Sequence, residues 1–446
     1  MFKNGASSGL QIDLYELTMA AGYFQNDVRL TAGFELICHS MPPSRNFLVA
    51  CGLQQALDYV LNLSFSPQDI ACLKALPVFK NVGGGFFDYL KTFTFSGHIW
   101  AMPEGEIFFA RQPVLHVEAP IIEAQILETC LLAIMNIEIM VATKAVRLVQ
   151  AAVSDGKQRS IIDFGARRAH GPQAGVLAAR AAYIGGADGT SNVLAGQKFG
   201  IPVYGTMAHS WVEAFDREEE AFGRFHRVFP RDTTLLIDTY DTLRAADMIT
   251  GLAIRKQIKG VRLDSGNLAA LSKRVRKTLD GAGLNSVRIM ASGNLNEEKI
   301  LDLVRQKAPI DAFGVGTELA ASPDAPSLDM TYKLVQTKGQ EGVRFKAKKS
   351  PRKQTLPGQK QVFRITDNKG RISKDVIGLI HESPPPQGRA LLHQVVKGGR
   401  MVRPLPPIEE SRRYLQKCLK QFPEVEGKRP LIPLCCSPAL LKLAAL

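Results

Sequence analysis

The sequence contains no unbroken apolar run of the roughly 18 to 20 residues that a membrane-spanning helix needs. Its longest candidate, around residues 126–141, is interrupted by two glutamates and an asparagine. The first five residues also lack the apolar segment of a secretory signal. The sequence therefore predicts a protein that does not span a membrane and that resides in the cytoplasm.

Cysteines are few and follow no recognisable pairing pattern. The 7 cysteines form neither an even disulfide framework nor a paired CxxC pattern. They are therefore predicted to be reduced thiols, most of them buried. Three of them, Cys418, Cys435 and Cys436, lie near the C-terminus and are too few for a four-thiolate zinc site, so no structural metal is predicted.

Negative charge is scarce in the last quarter of the chain. Residues 331–446 contain 24 Lys and Arg against 8 Asp and Glu, so this segment carries the whole excess behind the net charge of +14. Such a segment is typical of a solvated surface or of a field that attracts an anionic ligand. Its aromatic residues are too widely scattered for the base stacking that single-strand binders use. A nucleic-acid-binding surface is therefore kept only as an alternative interpretation.

The length of 446 residues and the pattern along the chain predict three segments. These are an N-terminal α/β domain (1–122), a β/α barrel that carries the active site (123–335) and a basic, β-rich segment (336–446) that packs on the N-terminal domain. The middle segment contains seven short apolar runs, each ending in polar or glycine residues and each followed by a helix-length stretch. This rhythm is typical of strands buried on both faces of a parallel sheet. The runs are SIIDFGARR, YIGGADGTSN, PVYGTMAHS, TLLIDTYDT, GVRLDSGNL, VRIMASGNLN and AFGVGTEL. Seven units favour a barrel over an open sheet, although the sequence alone does not show closure.

Polar residues gather at the C-terminal ends of the predicted strands, where β/α barrels place their chemistry. His209 follows the run PVYGTMA and is a candidate functional residue, with a filled core position as the alternative. Arg262 and Asp264 alternate with Leu263 in VRLDSGN, so their side chains leave an extended segment on the same side. They suit a ligand that is both anionic and hydroxylated, such as a phosphorylated sugar, or else they form an internal salt bridge.

Glycine-containing turns follow two consecutive predicted strands. One turn contains Ser292, Gly293 and Asn294, and the next contains Gly316 and Thr317. Free backbone N–H groups and the helix dipole at such places favour an anion, although either turn alone can be purely structural. Two such turns at consecutive strand ends favour one shared phosphate.

Two further strand ends complete the candidate site. In DTYDT, Asp238 can hold magnesium directly or through water, whereas Asp241 can cap the next helix. In DFGARRAHG, Phe164 and Arg167 place an aromatic face near a bidentate cation, and an aromatic ring that bears a carboxylate fits between them. An ordinary core position is the alternative for Phe164.

Seven stretches, taken in order, resemble the nicotinate phosphoribosyltransferase family. They are DLYELTMAAGYF, DFGARRAHGPQAGVLAARAAYIGGADGTSNVLAG, GIPVYGTMAHSW, IDTYDT, VRLDSGN, ASGNLNE and DAFGVGTEL, and they extend from about residue 13 to residue 335. The resemblance implies an irregular β/α barrel of the type II phosphoribosyltransferase kind beside an N-terminal α/β domain. It also implies a homodimer in which each active site uses residues of both subunits.

The implied activity belongs to NAD salvage. Members of the family convert nicotinate and phosphoribosyl pyrophosphate into nicotinate mononucleotide and pyrophosphate, helped by Mg²⁺ and by ATP hydrolysis. The resemblance makes His209 the candidate for phosphorylation by ATP, and a neutral imidazole is a suitable nucleophile near pH 7.

The resemblance also implies the roles of the other matched residues. Phe164 and the partner subunit's Tyr15 would enclose the pyridine ring, and Arg167 would hold the nicotinate carboxylate. Arg262 and Asp264 would contact phosphoribosyl pyrophosphate. The implied 5′-phosphate site comprises Ser292, Gly293, Asn294, Gly316 and Thr317, and the remaining substrate-binding candidates are Asp13, Ser191, Asn192 and Asp238.

The prediction that nicotinate is the substrate depends on the absence of one negatively charged side chain. Ser191 and Asn192 lie near the position where the related nicotinamide enzyme has an aspartate. An aspartate accepts hydrogen bonds from a carboxamide but repels a carboxylate, so its absence favours nicotinate. A nicotinamide or quinolinate phosphoribosyltransferase is the alternative activity. An inactive barrel with a nucleic-acid-binding tail is the alternative class, and it predicts steeply salt-dependent binding without turnover.

The chain departs from the family pattern at two places. Near FELICHSMP, where the family often has an arginine, it has Cys38 and His39, and Arg45 is near enough in sequence to substitute. The common DSGDL reads DSGNL, so Asn267 replaces a carboxylate that could contact metal or ribose.

Overall fold

Helices and strands alternate through the middle of the chain, and strands dominate its C-terminal part. The computed structural model describes residues 8–348, 355–422 and 432–445. The strands of these residues are β1 (Thr31–Cys38), β2 (Leu48–Val49), β3 (His98–Ala101), β4 (Ile107–Phe108), β5 (Pro113–Pro120), β6 (Ser160–Asp163), β7 (Gly189–Thr190), β8 (Thr234–Leu236), β9 (Gly260–Leu263), β10 (Arg288–Ala291), β11 (Ala312–Val315), β12 (Met330–Gly339), β13 (Gly342–Phe345), β14 (Lys360–Thr366), β15 (Ile372–Leu379), β16 (Gly388–Ala390), β17 (His393–Lys397), β18 (Arg400–Met401) and β19 (Leu434–Cys436).

The helices range from single turns to one long helix, α6. They are α1 (Leu14–Gln25), α2 (Leu53–Asn62), α3 (Pro67–Ala75), α4 (Gly84–Lys91), α5 (Ile121–Gln125), α6 (Glu128–Ala152), α7 (Pro172–Ile184), α8 (Val193–Phe199), α9 (His209–Glu213), α10 (Glu218–Val228), α11 (Thr242–Gly251), α12 (Leu268–Gly281), α13 (Glu297–Arg305), α14 (Thr317–Ala321), α15 (Ile408–Gln421) and α16 (Pro438–Ala445). Short 3-10 turns occupy Pro77–Phe79, Ala166–Arg168 and Arg255–Gln257.

The chain divides into two compact units. The first contains residues 1–140 and 327–446, and the second contains residues 141–326. These bounds differ from those of the three segments predicted from the sequence, and that three-part division remains a prediction.

An antiparallel sheet forms the centre of the first unit. Its strand order is β13-β12-β1-β5-β3-β17-β18. The apolar strand β1 is buried over nearly its whole length and pairs with β5 on one side and β12 on the other. The segment that follows the second unit therefore returns to complete the sheet begun by β1.

Part of the positive charge of the C-terminal quarter is buried in this unit rather than solvated. Arg364 pairs with Glu106 at 2.6 Å and with Asp375 at 2.7 Å, and all three side chains are fully buried. Lys360 pairs with Glu35 at 2.8 Å and is likewise buried. The basic composition of this segment thus partly serves internal ion pairs, which reduces the charge available for an external polyanion.

A long apolar helical stretch of the described chain runs over Ile121–Ala152. By length and composition alone it could cross a membrane, but 67% of its most apolar 18-residue window is buried within the protein. Burial of this kind is typical of a core helix in a soluble protein.

A parallel sheet forms the second unit. Its strand order is β7-β6-β11-β10-β9-β8, and every neighbouring pair is parallel. The first strand, β6, pairs with the last, β11, so the strand order is that of a barrel opened between β7 and β8. This confirms the predicted class of an irregular parallel β/α barrel.

The third of the seven predicted strands, in the run PVYGTMAHS, is the exception. Residues 201–204 contribute a single parallel bridge, between Val203 and Thr190. Val203 and Tyr204 are 48% and 47% exposed, so the prediction of a buried strand before His209 is wrong. Within the described residues no ladder joins this segment to β8, and the barrel is irregular at that seam.

Candidate active site

Arg262, at the C-terminal end of β9, is the centre of the polar cluster in the second unit. Its Nε donates to Ser292 Oγ at 2.8 Å, one Nη donates to Asp264 Oδ1 at 2.8 Å, and the other donates to Thr206 Oγ1 at 3.2 Å. The Arg262 side chain is only 13% exposed. The structure thus contains the internal salt bridge that was one of the two interpretations of the sequence. The other interpretation, contact with a ligand, remains a prediction.

Asp264 is held in its ionised form by this cluster. Burial alone would raise its pKa, but hydrogen bonds from Ser292 and Arg262 outweigh burial, and the pKa lies below its ordinary value. The carboxylate therefore stays charged near neutral pH and compensates the guanidinium beside it.

The Phe164 ring lies against the guanidinium of Arg262. The Arg262 Cζ atom is 5.2 Å from the ring centre, which is within the range of a cation–π contact. A Cβ atom at Gly314 would lie 2.5 Å from the ring, so the glycine makes room for it. Phe164 is half-buried, so it is not an ordinary core residue.

Arg167 stands apart from this cluster. It lies in the exposed 3-10 turn Ala166–Arg168 and makes no ion pair with any described residue. Among the described residues no hydrogen bond or cation–π contact joins it to Phe164. Its guanidinium is therefore open to an external anion.

Asp163 is a buried carboxylate whose role the sequence analysis missed. It accepts hydrogen bonds from Thr190 Oγ1 and from the Gly165 amide, both at 2.7 Å, and burial raises its pKa. These bonds join the ends of β6 and β7 and fix the turn that carries Phe164. An aspartate at the end of an apolar strand, as in SIID, was the available signal.

Asp238 presents one satisfied and one unsatisfied carboxylate oxygen. Oδ2 accepts from the Asp264 amide at 3.0 Å and from Ser265 Oγ at 2.6 Å. Oδ1 is buried and has no hydrogen-bond partner among the described residues. Because buried acceptors normally have partners, this oxygen marks a place for a ligand or cation. Asp241 instead caps α11 by accepting from the Leu243 and Arg244 amides, as its structural alternative predicted.

His209 is the first residue of α9 and is half-buried rather than part of the core. Its Nδ1 lies 3.1 Å from the Thr239 hydroxyl, just beyond β8. This contact crosses the seam that backbone pairing leaves open between residues 201–204 and β8. The other ring nitrogen, Nε2, has no hydrogen-bond partner among the described residues.

The two predicted phosphate turns lie at the same edge of the sheet, because β10 and β11 are parallel neighbours. Gly293 has φ +94°, and a Cβ there would lie 1.9 Å from the Asp264 carbonyl oxygen, so only glycine fits. Asn294 also has a left-handed φ, +47°. Within the described chain, the backbone amides of Gly293, Asn294, Gly316 and Thr317 have no acceptor. Such amides can bind an anion.

Two asparagines in the site region cap helices. Asn192 Oδ1 accepts from the Ala195 amide and caps α8, while the neighbouring Ser191 is half-buried. Asn267 Oδ1 accepts from the Ala270 amide at 3.1 Å and caps α12. Asparagine and aspartate are nearly equal as N-caps, so the departure at Asn267 preserves the start of this helix.

Asp13 and Tyr15, at the start of α1, belong to the first unit. Asp13 donates its amide to Thr129 Oγ1 at 3.3 Å, and Glu16 accepts from the Thr129 amide at 3.0 Å. The start of α1 is therefore fastened to α6. Tyr15 remains 46% exposed, and burial of its hydroxyl region together with nearby Glu128 raises its pKa.

The FELICHSMP segment lacks the substitute cation considered from the sequence. Arg45 is only 3% exposed and donates from Nη1 to the Met140 carbonyl at 2.8 Å. It is thus a buried structural cation, and the expectation that it replaces a missing phosphate ligand is wrong. His39 lies 3.7 Å from Asp329, and burial raises the pKa of Cys38 to about 12.

All seven cysteines lie in described segments and outside any disulfide, and four of them are buried. The first unit also brings Cys51, Glu104 and Glu138 close enough to share a metal ion. Glu104 accepts from the Gly52 amide at 2.8 Å, and Glu138 accepts from the Cys51 thiol at 3.6 Å. These side chains therefore already have partners within the fold.

Both units match known proteins. Residues 10–136 match the family model for the nicotinate phosphoribosyltransferase (NAPRTase) N-terminal domain, and residues 159–352 match that for the nicotinate phosphoribosyltransferase (NAPRTase) family. The chain is similar to nicotinate phosphoribosyltransferase pncB2 of Mycobacterium tuberculosis, with 42% identity over 416 residues that cover 92% of this chain and 87% of that protein. It is also similar to the Bacillus subtilis nicotinate phosphoribosyltransferase, with 39% identity over 87% of this chain and 79% of that protein.

The fold gives the same result. The crystal structure of human nicotinic acid phosphoribosyltransferase superposes with a TM-score of 0.85 at 28% identity, covering 97% of this chain and 99% of that one. Sequence and fold thus agree over nearly the whole length, and this chain belongs to the nicotinate phosphoribosyltransferase family.

Proposed function

We propose that this protein transfers the phosphoribosyl group of phosphoribosyl pyrophosphate to nicotinate, as an enzyme of NAD salvage in the cytoplasm. The products are nicotinate mononucleotide and pyrophosphate. The observation that carries the proposal is the cluster around Arg262, in which a guanidinium, the Asp264 carboxylate, the Ser292 hydroxyl and the Phe164 ring meet at the strand ends of a barrel.

The leaving group sets the main electrostatic demand. Breaking the bond at ribose C1 leaves an oxocarbenium-like carbon and places negative charge on the departing pyrophosphate. Arg262 neutralises that charge, and its bonds to Ser292, Thr206 and Asp264 hold the guanidinium in place before the reaction.

Nicotinate binds by its ring and by its carboxylate. Phe164 and the partner subunit's Tyr15 hold the ring, and Arg167, which has no internal ion pair, takes the carboxylate. Ser191 and Asn192 place no acid beside it. The ring nitrogen then attacks ribose C1 without a general base, because it carries no proton to remove.

The 5′-phosphate is held by the unpaired amides of residues 293–294 and 316–317. Their places at two neighbouring strand ends support binding of one phosphate by both turns. The remote phosphate then orients the ribose, which lowers the entropic part of the barrier.

Asp238 fits a Mg²⁺ ion that accompanies phosphoribosyl pyrophosphate. Its Oδ1 is a buried, unpartnered carboxylate oxygen, and magnesium prefers such hard ligands. Bound there, the ion would supply further neutralisation of the leaving pyrophosphate.

His209 accepts a phosphoryl group from ATP. In the tautomer whose Nδ1–H donates a hydrogen bond to the Thr239 hydroxyl, Nε2 carries no proton and its lone pair is free to react. Nε2 forms the new bond to the γ-phosphorus, the bond to the bridging oxygen breaks, and ADP leaves with that electron pair. Hydrolysis of the resulting phosphohistidine releases phosphate and restores the imidazole.

A homodimer with shared sites completes the proposal. Each unit exposes apolar side chains near predicted site residues, which is typical of interaction surfaces. They are Leu10, Leu14, Tyr15 and Met19 in the first unit, and Val193, Leu194, Val203 and Tyr204 in the second.

The direct test is mononucleotide formation from nicotinate, nicotinamide and quinolinate in separate reactions with phosphoribosyl pyrophosphate and Mg²⁺, with and without ATP. We expect nicotinate to be used far better than the other two and ATP to increase its turnover. Preference for either alternative ring would overturn the substrate assignment. Absence of product from all three, with salt-sensitive RNA or DNA binding, would support the inactive-barrel alternative.

A further inference from the structure

A partly buried group of ion pairs, centred on a buried lysine, lies behind the two phosphate turns of the second unit. Lys144 of α6 is only 2% exposed, and its Nζ lies 2.7 Å from Glu297, 2.9 Å from Asp324 and 3.4 Å from Glu318. Arg147, one turn later on the same helix, lies 3.2 Å from Glu297 and 2.8 Å from Asp324. Two cations of one helix thus join carboxylates from three other places in the chain.

The places of the carboxylates connect this cluster to the candidate site. Glu297 is the first residue of α13 and follows Asn294 by three positions, and Glu318 directly follows Thr317 in α14. The same ammonium group therefore contacts the first turns of both helices, each immediately behind one of the two turns. It is placed to fix the spacing between them.

We propose that Lys144 is a positioning residue for phosphoribosyl pyrophosphate binding, acting through Glu297 and Glu318 to hold the two phosphate turns in register. This rests on the proposed function, in which both turns bind one 5′-phosphate. One phosphate can engage both sets of amides only if the turns keep a fixed separation. Lys144 does not itself touch the substrate.

Charge explains why the cluster is sensitive to this lysine. Two cations face three carboxylates, so the cluster carries one net negative charge. Removing Lys144 leaves a single cation among three partly buried acids, which then repel one another. The first turns of α13 and α14 would move apart, and the turns in front of them would follow.

The test measures binding of phosphoribosyl pyrophosphate by calorimetry together with steady-state kinetics. For Lys144→Met we expect the Kd and the KM for phosphoribosyl pyrophosphate to rise about 10- to 100-fold, as a displacement of about 1 Å at a positioned group can cause. The KM for nicotinate should stay within about threefold of the wild-type value, because its contacts lie elsewhere.

A matched control separates positioning from general loss of stability. Arg159 is also buried, with its side chain 5% exposed, and pairs with Asp155 at 2.7 Å. It lies immediately before β6, at the opposite end of that strand from Phe164. We expect Arg159→Met to leave the KM for phosphoribosyl pyrophosphate unchanged even though the protein is destabilised.

A charge-balanced variant covers the case in which Lys144→Met does not fold. Lys144→Met combined with Glu318→Gln restores the native net charge of the cluster but not the connection between the two helices. We expect its thermal stability to recover while the Kd for phosphoribosyl pyrophosphate remains high.

The outcomes are distinct. Lys144 is only structural if the double variant recovers both its stability and the wild-type Kd for phosphoribosyl pyrophosphate. The same conclusion follows if Lys144→Met alone binds phosphoribosyl pyrophosphate as tightly as the wild type does. If the wild-type protein does not bind phosphoribosyl pyrophosphate, the proposed function itself fails.

Discussion

At the residue scale, the hydrogen-bond partners of the His209 ring nitrogens indicate the role of this histidine better than its burial does. His209 starts a short helix, contacts Thr239 through Nδ1 and leaves Nε2 open. A core histidine would instead have both ring nitrogens enclosed or paired, as His226 does with Thr233 and Gln257. The local geometry therefore favours a reactive imidazole.

For His209→Ala we expect loss of the stimulation by ATP, with some ATP-independent synthesis remaining, because the other site residues are unchanged. Transfer of radiolabelled phosphate from ATP to the protein should disappear in the same variant. Both quantities can be measured with His381→Ala, an exposed histidine of the first unit, as the control. Full ATP-dependent activity in His209→Ala would restore the core interpretation.

At the element scale, the start of α1 carries a proton-dependent contact. Glu16 is fully buried and bonds to Thr129 of α6, and burial raises the pKa of its carboxyl from 4.5 to about 7. Between these two pH values the folded chain binds a proton that the unfolded chain has released. The stabilisation by protonated Glu16 is therefore complete below pH 4.5 and is lost as the pH rises through 7.

We accordingly expect Glu16→Gln to become more stable relative to the wild type as the pH rises from 5 to 8, because glutamine keeps an acceptor for Thr129 and never ionises. The change in relative free energy of unfolding should be on the order of 2 kcal/mol. Urea denaturation at several pH values measures it. The control is Glu410→Gln, at an exposed position of α15, and an equal pH trend in both variants would contradict the prediction.

The strands of the second unit show how much of the fold could be predicted from the sequence. Apolar runs followed by glycine and polar residues predicted β6 to β11 because burial on both faces of a parallel strand requires that pattern. Residues 201–204 look similar in sequence but pair only through Val203, since strand pairing depends on neighbours that are distant in the chain.

The candidate site was predictable to a similar degree. The Arg262–Asp264 contact follows from alternation along an extended segment, and the structure contains it. The burial of Arg45, the helix cap at Asn267 and the role of Asp163 depend on contacts with other elements. The Lys144 cluster joins residues more than 150 positions apart in sequence, so no local pattern could reveal it.

At the scale of the whole molecule, the proposed dimer would make catalytic activity depend on residues from both chains. Tyr15 belongs to the first unit and Arg262 to the second. If each site combines Tyr15 of one subunit with Arg262 of the other, a mixed dimer of two inactive variants contains one intact site. This follows from two-fold symmetry.

We therefore expect co-expression of Tyr15→Ala and Arg262→Gln chains to recover about a quarter of the wild-type activity, because random pairing gives about half mixed dimers with one good site in two. Each variant expressed alone is the control. Recovery can be followed as mononucleotide formation by the purified mixture. No recovery, with mixed dimers present by mass spectrometry, would show that each site is built from a single chain.

The pairing of β1 with β12 also has a consequence for synthesis on the ribosome. β1 must wait for a partner strand that emerges about 300 residues later, whereas each strand of the second unit finds neighbours within its own segment. Until then one edge of the apolar segment TAGFELIC stays open to other nascent chains. We expect chains truncated between residues 326 and 330 to aggregate through this edge, and the growing protein to depend on chaperones until β12 has been made.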